Sequence, residues 1–325
     1  MNHDSFNGGI PMIHTITMPT PFAVGDVNAY LLKGDALTLF DAGTNTPESW
    51  EALLHGLKEA GYRPEDIEQV ILTHHHPDHA GLVDRFERAR LLGHAYNDPW
   101  LRRDEAFFEY HDRFYLDCLT EEGVPEEYLR WVSKMKRPVG FMGSRPLDAR
   151  LADSDAVPGH PGWSSLETPG HARSHLAFFN EKTGDMIGGD LVLGKISSNP
   201  LIEPPLDPKA GRPKSLLEYN HSLRRVAALP VEVIYPGHGE EVRGIAPLIE
   251  HRLEQQKDRA MKVLGMMEDG PKTIFELTKR LFPTMYQKEL GLTLSETIGQ
   301  TDWLVEEGLA REVRREDGVL DYEKA

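Results

Sequence analysis

Along the first two thirds of the chain, short apolar runs alternate with turn signals and with helical patterns. Ala29-Tyr30-Leu31-Leu32 and Leu37-Thr38-Leu39-Phe40 predict two neighbouring strands joined by the turn Lys33-Gly34-Asp35. Thr46-Pro47-Glu48 then opens a helix, with threonine as its cap and proline at its first position. Trp50, Leu53, Leu54 and Leu57 give that helix one apolar face, and Gly61 stops it. Residues 69–72 predict another strand. Strand, helix and strand in this order argue for an α/β layered domain.

Two stretches depart from that rhythm. Residues 98–140 carry aromatics at helical spacing (Trp100, Phe107, Phe108, Tyr110, Phe114, Tyr115), a break at Gly123-Val124-Pro125, and a second pattern at Tyr128, Val132 and Met135. They predict a helical cap that forms an apolar substrate pocket, with a dimer contact as the alternative reading. From residue 248 the chain turns helical. One helix is expected over 248–267, with Gly270-Pro271 breaking it. A second opens on the capping-box pair Thr273 and Glu276, a third spans 294–307, and a hairpin over 309–322 turns at Asp317-Gly318. The expected division is residues 1–247 as catalytic domain, with the cap at about 98–140, and 248–325 as a small separate domain.

Composition narrows the setting. The 325 residues are 39% hydrophobic and 27% charged, which suits a soluble globular protein. No apolar run approaches the roughly 20 residues that span a bilayer. The opening MNHDSFNGGIPM lacks the basic start and apolar stretch of a signal peptide. One cysteine, Cys118, excludes an internal disulfide framework and fits a reducing compartment, so a cytoplasmic location is expected and packing is a better role for that thiol than nucleophile. The formal net charge of −16 repels phosphate backbones, leaving nucleic acid only a local basic patch.

The specific chemistry begins at Thr73, where the chain reads THHHPDH. Alternate residues of extended backbone project to one side, so His74 and His76 can share an ion while His75 points away. After the turn forced by Pro77, Asp78 and His79 can reach a second ion. Three later stretches repeat the setting: Thr168-Pro169-Gly170-His171, Gly188-Gly189-Asp190, and Tyr235-Pro236-Gly237-His238-Gly239. Each puts a metal-competent group just past the end of a predicted strand, the side on which α/β sheets build their sites.

With HxHxDH at 74–79 followed by His171, Asp190 and His238, the sequence resembles the metallo-β-lactamase fold superfamily over roughly residues 10–245, closest to its glyoxalase II-like and lactamase-β-like group. The resemblance implies an αβ/βα sandwich of four layers with a binuclear site at one edge. It implies that His74, His76 and His171 hold one ion, that Asp78, His79 and His238 hold the other, and that Asp190 bridges them. Neutral imidazoles and carboxylates suit Zn²⁺, with Fe or Mn as alternatives at such nitrogen and oxygen sites. Two ions about 4 Å apart would hold a shared water as the hydroxide nucleophile. Asp78 would accept or shuttle the proton. Asp41 in FDAGT resembles the family's aspartate that supports the ligands, His175 and Asn28 are candidates for the same work, and Arg173, Lys195 and Arg243 read as solvated charge beside the ligand loops.

The tail order of three helices and a hairpin resembles a winged-helix module. Residues 258–325 nevertheless hold 10 Lys or Arg against 14 Asp or Glu, and the third helix carries Glu296, Asp302, Glu306 and Glu307 with no basic residue. A recognition helix of that charge would repel phosphate, so packing on the hydrolase or on a dimer partner is expected, without DNA or membrane binding. The expected activity is hydrolysis of a small acyl thioester or ester. Ribonuclease or phosphodiesterase action and lactone opening are the alternatives, and a flavin-linked di-iron oxygen reductase is disfavoured by the lack of a flavodoxin-like tail.

Overall fold

The computed structural model describes residues 13–325, without the side chains of Lys134 and Met135; the amino-terminal stretch read above, residues 1–12, lies outside the described residues. Six strands form the first sheet in sequence order: β1 (Ile13–Met18), β2 (Val27–Lys33), β3 (Leu37–Phe40), β4 (Gln69–Ile71), β5 (Arg90–Gly93) and β6 (Ala149–Arg150). The first three pair antiparallel, with Tyr30 opposite Phe40 across the expected turn, and β3 to β6 run parallel.

Helix α1 (Pro47–Glu59) lies between β3 and β4. The Thr46 hydroxyl accepts from the Ser49 amide at 3.2 Å, as the cap requires. Leu53 and Leu57, four residues apart, are fully buried against the sheet, whereas Leu54, one 100° step further round, is 37% exposed and does not belong to the apolar face.

The second sheet has the order β10-β9-β8-β7, from β7 (Trp163–Glu167), β8 (Leu176–Asn180), β9 (Asp185–Gly189) and β10 (Val233–Pro236). Helix α6 (Ser215–Ala227) is the crossover that lets β10 lie parallel to β9. Tyr30, Leu32, Phe40, Ile71 and Leu92 of the first sheet meet Trp163, Leu176, Phe178 and Ile187 of the second in one buried cluster. Outside the sheets, α1 covers the first through Leu53 and Leu57, and α6 with the start of α7 (Ile245–Gly265) covers the second through Leu223, Val226, Ile245 and Ile249. Helix, sheet, sheet, helix are the four layers. No described helix is long and apolar enough to cross a membrane.

The aromatic stretch folds into α2 (Asn97–Leu101), α3 (Glu105–Glu121), α4 (Glu126–Leu129) and α5 (Val132–Met135). The tail adds α8 (Ile274–Leu281), opened by the Thr273–Glu276 capping box, α9 (Leu290–Glu306), and the hairpin of β11 (Ala310–Arg314) and β12 (Leu320–Lys324). Helix α9 starts four residues earlier than its apolar pattern suggests. Tyr115, Cys118, Leu119 and Val132 of the insertion share a single apolar core with Val263, Phe275, Leu294, Ile298 and Tyr322 of the tail. Two of the acids on α9 are inside that packing. Glu296 accepts from Arg259 at 2.7 Å, and Asp302 takes both prongs of Arg212 at 2.7 Å each.

Candidate metal centre and the adjoining cavity

The loop after β4 carries residues 73–79, the turn from β7 to β8 carries His171, and Asp190 and His238 follow β9 and β10. The fold brings all seven expected positions together past the ends of these strands. His76 Nδ1 stands 3.0 Å from His74 Nε2 and 3.1 Å from His171 Nε2. Beside that trio, His238 Nε2 is 3.3 Å from Asp78 Oδ2. Asp190 touches both groups: Oδ1 is 3.5 Å from His79 Nε2, and Oδ2 is 3.4 Å from His171 Nε2 and 3.5 Å from His238 Nε2. His74, His76 and His171 form one cluster tight enough for an ion, and Asp78, His79 and His238 form another.

Four of the five rings are fixed from behind. His79 Nδ1 donates to Asp41 Oδ2 at 2.8 Å, His171 Nδ1 to the Asn199 carbonyl at 3.0 Å, and His238 Nδ1 to the Asp26 carbonyl at 2.7 Å. Because the Thr73 hydroxyl donates to Asp41, it accepts from His74 Nδ1 at 3.0 Å. These bonds put a proton on the far nitrogen and turn Nε2 inward. Asp41 holds this arrangement from the left-handed region, at φ 61°, an uncommon conformation for a residue with a side chain. His175 and Asn28 support backbone rather than rings. His175 Nε2 accepts from the Asp190 amide at 3.0 Å, and Asn28 Nδ2 donates to the Pro236 and Gly239 carbonyls at 3.1 and 2.8 Å. Gly237 is required by space, since a Cβ there would stand 2.7 Å from His79 Cε1.

The electrostatics divide the centre. Burial, and then the neighbouring imidazoles, hold His74, His76 and His171 below the usual histidine range, so they stay neutral. Burial opposes charge at His79 and His238 as well, but Asp190, Asp41 and Asp78 outweigh it, raising His79 far above that range and His238 to about 9. Asp190 remains ionised despite its burial because His79 and His238 face it. The chain thus has three neutral nitrogen donors on one side and a concentration of carboxylate charge on the other. His79 Nε2, His238 Nε2 and Asp190 Oδ1 are buried without any hydrogen-bond partner. Buried polar atoms are rarely left so. Inward-facing imidazole nitrogens, clustered carboxylates and orphaned atoms make a donor set that fits divalent cations.

Residues 23–238 match the family described as the Metallo-beta-lactamase superfamily. The chain belongs to that superfamily. A relative from Bacillus subtilis (strain 168), "Probable metallo-hydrolase YqjP", is 45% identical over 292 residues, covering 89% of this chain and 91% of that protein. A crystal structure of a metallo-beta-lactamase family protein from Thermus thermophilus superposes with a TM-score of 0.77 at 30% identity, over 96% of this chain and 98% of that one. An atrochrysone carboxyl ACP thioesterase of Aspergillus fumigatus is 24% identical over 252 residues, 77% of this chain and 62% of the relative. The protein is therefore a metallo-hydrolase of this superfamily, with a cluster of histidines and aspartates that could hold metal.

A cavity of ≈ 400 Å³ lies against the His76 side of the superfamily site. Trp100, Tyr115 and Met142 from the insertion region, Leu201 and Ile202 from a loop, and Leu292 from α9 give it an apolar wall. Among the described side chains, no lysine or arginine lines it. His75 does turn away from the ion-binding cluster, as alternation predicts, but it is not idle. It lines the cavity, stacks on Trp100 at 4.7 Å between ring centres, and pairs through Nε2 with Glu203 Oε1 at 2.9 Å. Glu203, missed in the sequence, is buried, and its second oxygen accepts from the Arg173 amide at 2.6 Å. The signal was one acid inside the apolar, proline-rich run Pro200-Leu201-Ile202-Glu203-Pro204-Pro205.

Of the other candidates, Arg173 is committed to Glu218 at 2.6 Å, Arg243 is exposed beside Glu241 at 3.4 Å, and exposed Lys195 lines a second cavity, of ≈ 280 Å³, that includes His238. Burial pushes the Cys118 thiol up to about 12, which removes the thiolate a nucleophile needs.

Proposed function

We propose that the chain hydrolyses acyl thioesters, or related acyl esters, using two divalent ions. His74, His76 and His171 would hold the first ion, Asp78, His79 and His238 the second, and Asp190 would bridge them; Zn²⁺ suits the donors, as do Fe and Mn. Such ions supply Lewis acidity and bring the pKa of a bound water toward 7. Asp78, which His79 and His238 keep ionised against its burial, is placed to take up the proton of the attacking water. The apolar cavity beside His76 would seat the acyl group and exclude water from the reacting carbonyl.

The observation that carries this reading is the lining of that cavity. A phosphodiester or RNA strand needs cations along its path, and among the described side chains no lysine or arginine lines this wall. The inward packing of α9 and its ion-paired acids likewise supports a tail that does not read duplex DNA. A lactone opens best where a phenol steadies the developing oxyanion. Here Asp190 is followed by Leu191, Val192, Leu193 and Gly194, and the nearby phenols are engaged with carbonyls: Tyr219 with Leu191 and Tyr96 with Pro204, each at 2.8 Å, and Tyr115 with Ile202. Similarity to a thioesterase supports the same substrate class. The test is to assay purified protein of known metal content on acyl thioesters, phosphodiesters and RNA. Thioester turnover that a chelator abolishes is expected. RNA cleavage without thioester turnover would overturn the assignment.

A further inference from the structure

Part of the cavity wall comes from two segments far from the metal loops. Trp131 belongs to the insertion, between α4 and α5, and Gly291 and Leu292 belong to the first turn of α9. These walls meet at Gly291. A Cβ built there would stand 2.6 Å from Trp131 Cζ2 and 3.2 Å from Cζ3, so no side chain fits while the indole keeps its place. Glycine is otherwise a poor helix residue, since it loses more backbone freedom than alanine on folding. The backbone does not demand it, because Gly291 is absent from the positive-φ glycines of the chain. What the glycine permits is the close approach of the indole.

A short loop connects this wall to the ion-binding side. The Ile202 amide donates to Ser295 Oγ of α9 at 3.3 Å, and the Tyr115 hydroxyl donates to the Ile202 carbonyl. Three residues earlier, the Asn199 carbonyl accepts from His171 Nδ1 at 3.0 Å. The cavity is thus bounded by the insertion, the tail and a loop that also orients a ring of the metal centre.

We propose that the Trp131–Gly291 contact sets the size of acyl group the hydrolase accepts, so that the carboxy-terminal segment is a specificity element of the active site. The proposal rests on the acyl thioester reading above. A methyl at position 291 drives the indole out of its position, altering the space for a large acyl group more than for a small one. Removing the indole enlarges the same space.

The experiment compares wild type, Gly291→Ala, Trp131→Ala and the double variant on N-acetylcysteamine thioesters from acetyl to decanoyl, at matched metal content. Gly291→Ala is expected to lower kcat/KM for decanoyl relative to acetyl by at least ~10-fold, the scale on which a hydrophobic pocket discriminates a few methylenes. Trp131→Ala is expected to shift the preference toward the longer chains. In the Trp131→Ala background the added methyl meets no ring, so the second change is expected to leave the chain-length ratio within about 2-fold, inside the range of independent sites. Equal losses at every chain length, or the same effect of Gly291→Ala with and without the indole, would overturn the proposal. If wild type turns over none of the thioesters, the functional reading fails separately. Binding of the matching non-hydrolysable alkyl thioethers, followed by tryptophan fluorescence in wild type and Gly291→Ala, then decides the gauge: a shifted chain-length ranking upholds it and an unchanged one overturns it.

Discussion

The two sides of the active site are built by different physics. On the ion-binding side each donor sits just past a strand end, and hydrogen bonds to Asp41, Asn199, Asp26 and Thr73 fix the rings of His79, His171, His238 and His74 before any ion arrives. On the cavity side, the wall is assembled by packing among segments that have no strand in common, with Trp131, Tyr115, Ile202 and Leu292 among its residues. The first side is pre-organised by these bonds, as metal chemistry demands of its donors. The two sides meet in the loop of residues 199–202, where the Asn199 carbonyl holds His171 and Ile202 lines the cavity.

The sharpest way to break that division is at Asp190. Asp190→Asn removes the charge that both clusters face, so metal content and kcat/KM are expected to fall together. The loss in kcat/KM should reach at least ~10²-fold, whereas Asp41→Asn, which only orients His79 and Thr73, should stay within roughly 10- to 100-fold. Metal analysis beside steady-state kinetics checks both. Unchanged stoichiometry and turnover in Asp190→Asn would remove it from the site.

His75 lies on the boundary between the two sides, and the structure alters what its removal should do. Read as an intervening residue, it could be lost with little effect on metal or activity. Its ring, however, partners a buried carboxylate. His75→Ala is expected to keep its metal yet lose about 3–5 kcal/mol of stability in urea titration, because Glu203 is left buried without its partner. Adding Glu203→Gln should recover part of that loss. Metal loss as large as in His76→Ala would show that the alternation of the loop has been misread.

The ion-binding side was legible in the sequence because histidines and aspartates past strand ends are chemically conspicuous, and the spacing of 74, 76, 78 and 79 repeats no ordinary packing pattern. Packing hides the rest. Glu203 reads as a loop acid, since its burial depends on His75 and on the Arg173 amide, both brought close only by the fold. Helical spacing of Phe107, Tyr115 and their neighbours predicts helices, but it does not say that Phe107 joins the core of the first sheet while Tyr115, Cys118 and Leu119 share a core with α9. Glu296 and Asp302 read as repulsive surface for the same reason: Arg259 and Arg212 reach them only in three dimensions.

A smaller effect is expected where insertion and tail join. Glu122, at the end of α3, accepts the Tyr322 hydroxyl of β12, and burial pushes its carboxyl up from 4.5 to about 8 against the pull of Arg212 and Tyr322. The folded chain therefore keeps a proton that the unfolded chain has released. That contribution is fully present below about pH 4.5 and is lost as pH rises through about 8. Glu122→Gln should flatten the fall in stability across this window by up to a few kcal/mol while leaving metal content unchanged. Denaturant titrations below, within and above the window check it. An undiminished slope in the variant would place the titrating group elsewhere.

The most direct test of the account is the substrate preference of the wild-type protein. With one metal preparation, kcat/KM is measured for acyl thioesters and for homoserine lactones of matched chain length. A phenol at a developing oxyanion can contribute roughly 10²-fold in rate, and none is free after Asp190, whereas a thiolate leaves well without such help. The account predicts that thioesters are turned over faster at every matched length. A lactone preference of about tenfold or more, equivalent to roughly 1.4 kcal/mol of transition-state stabilisation, would contradict it.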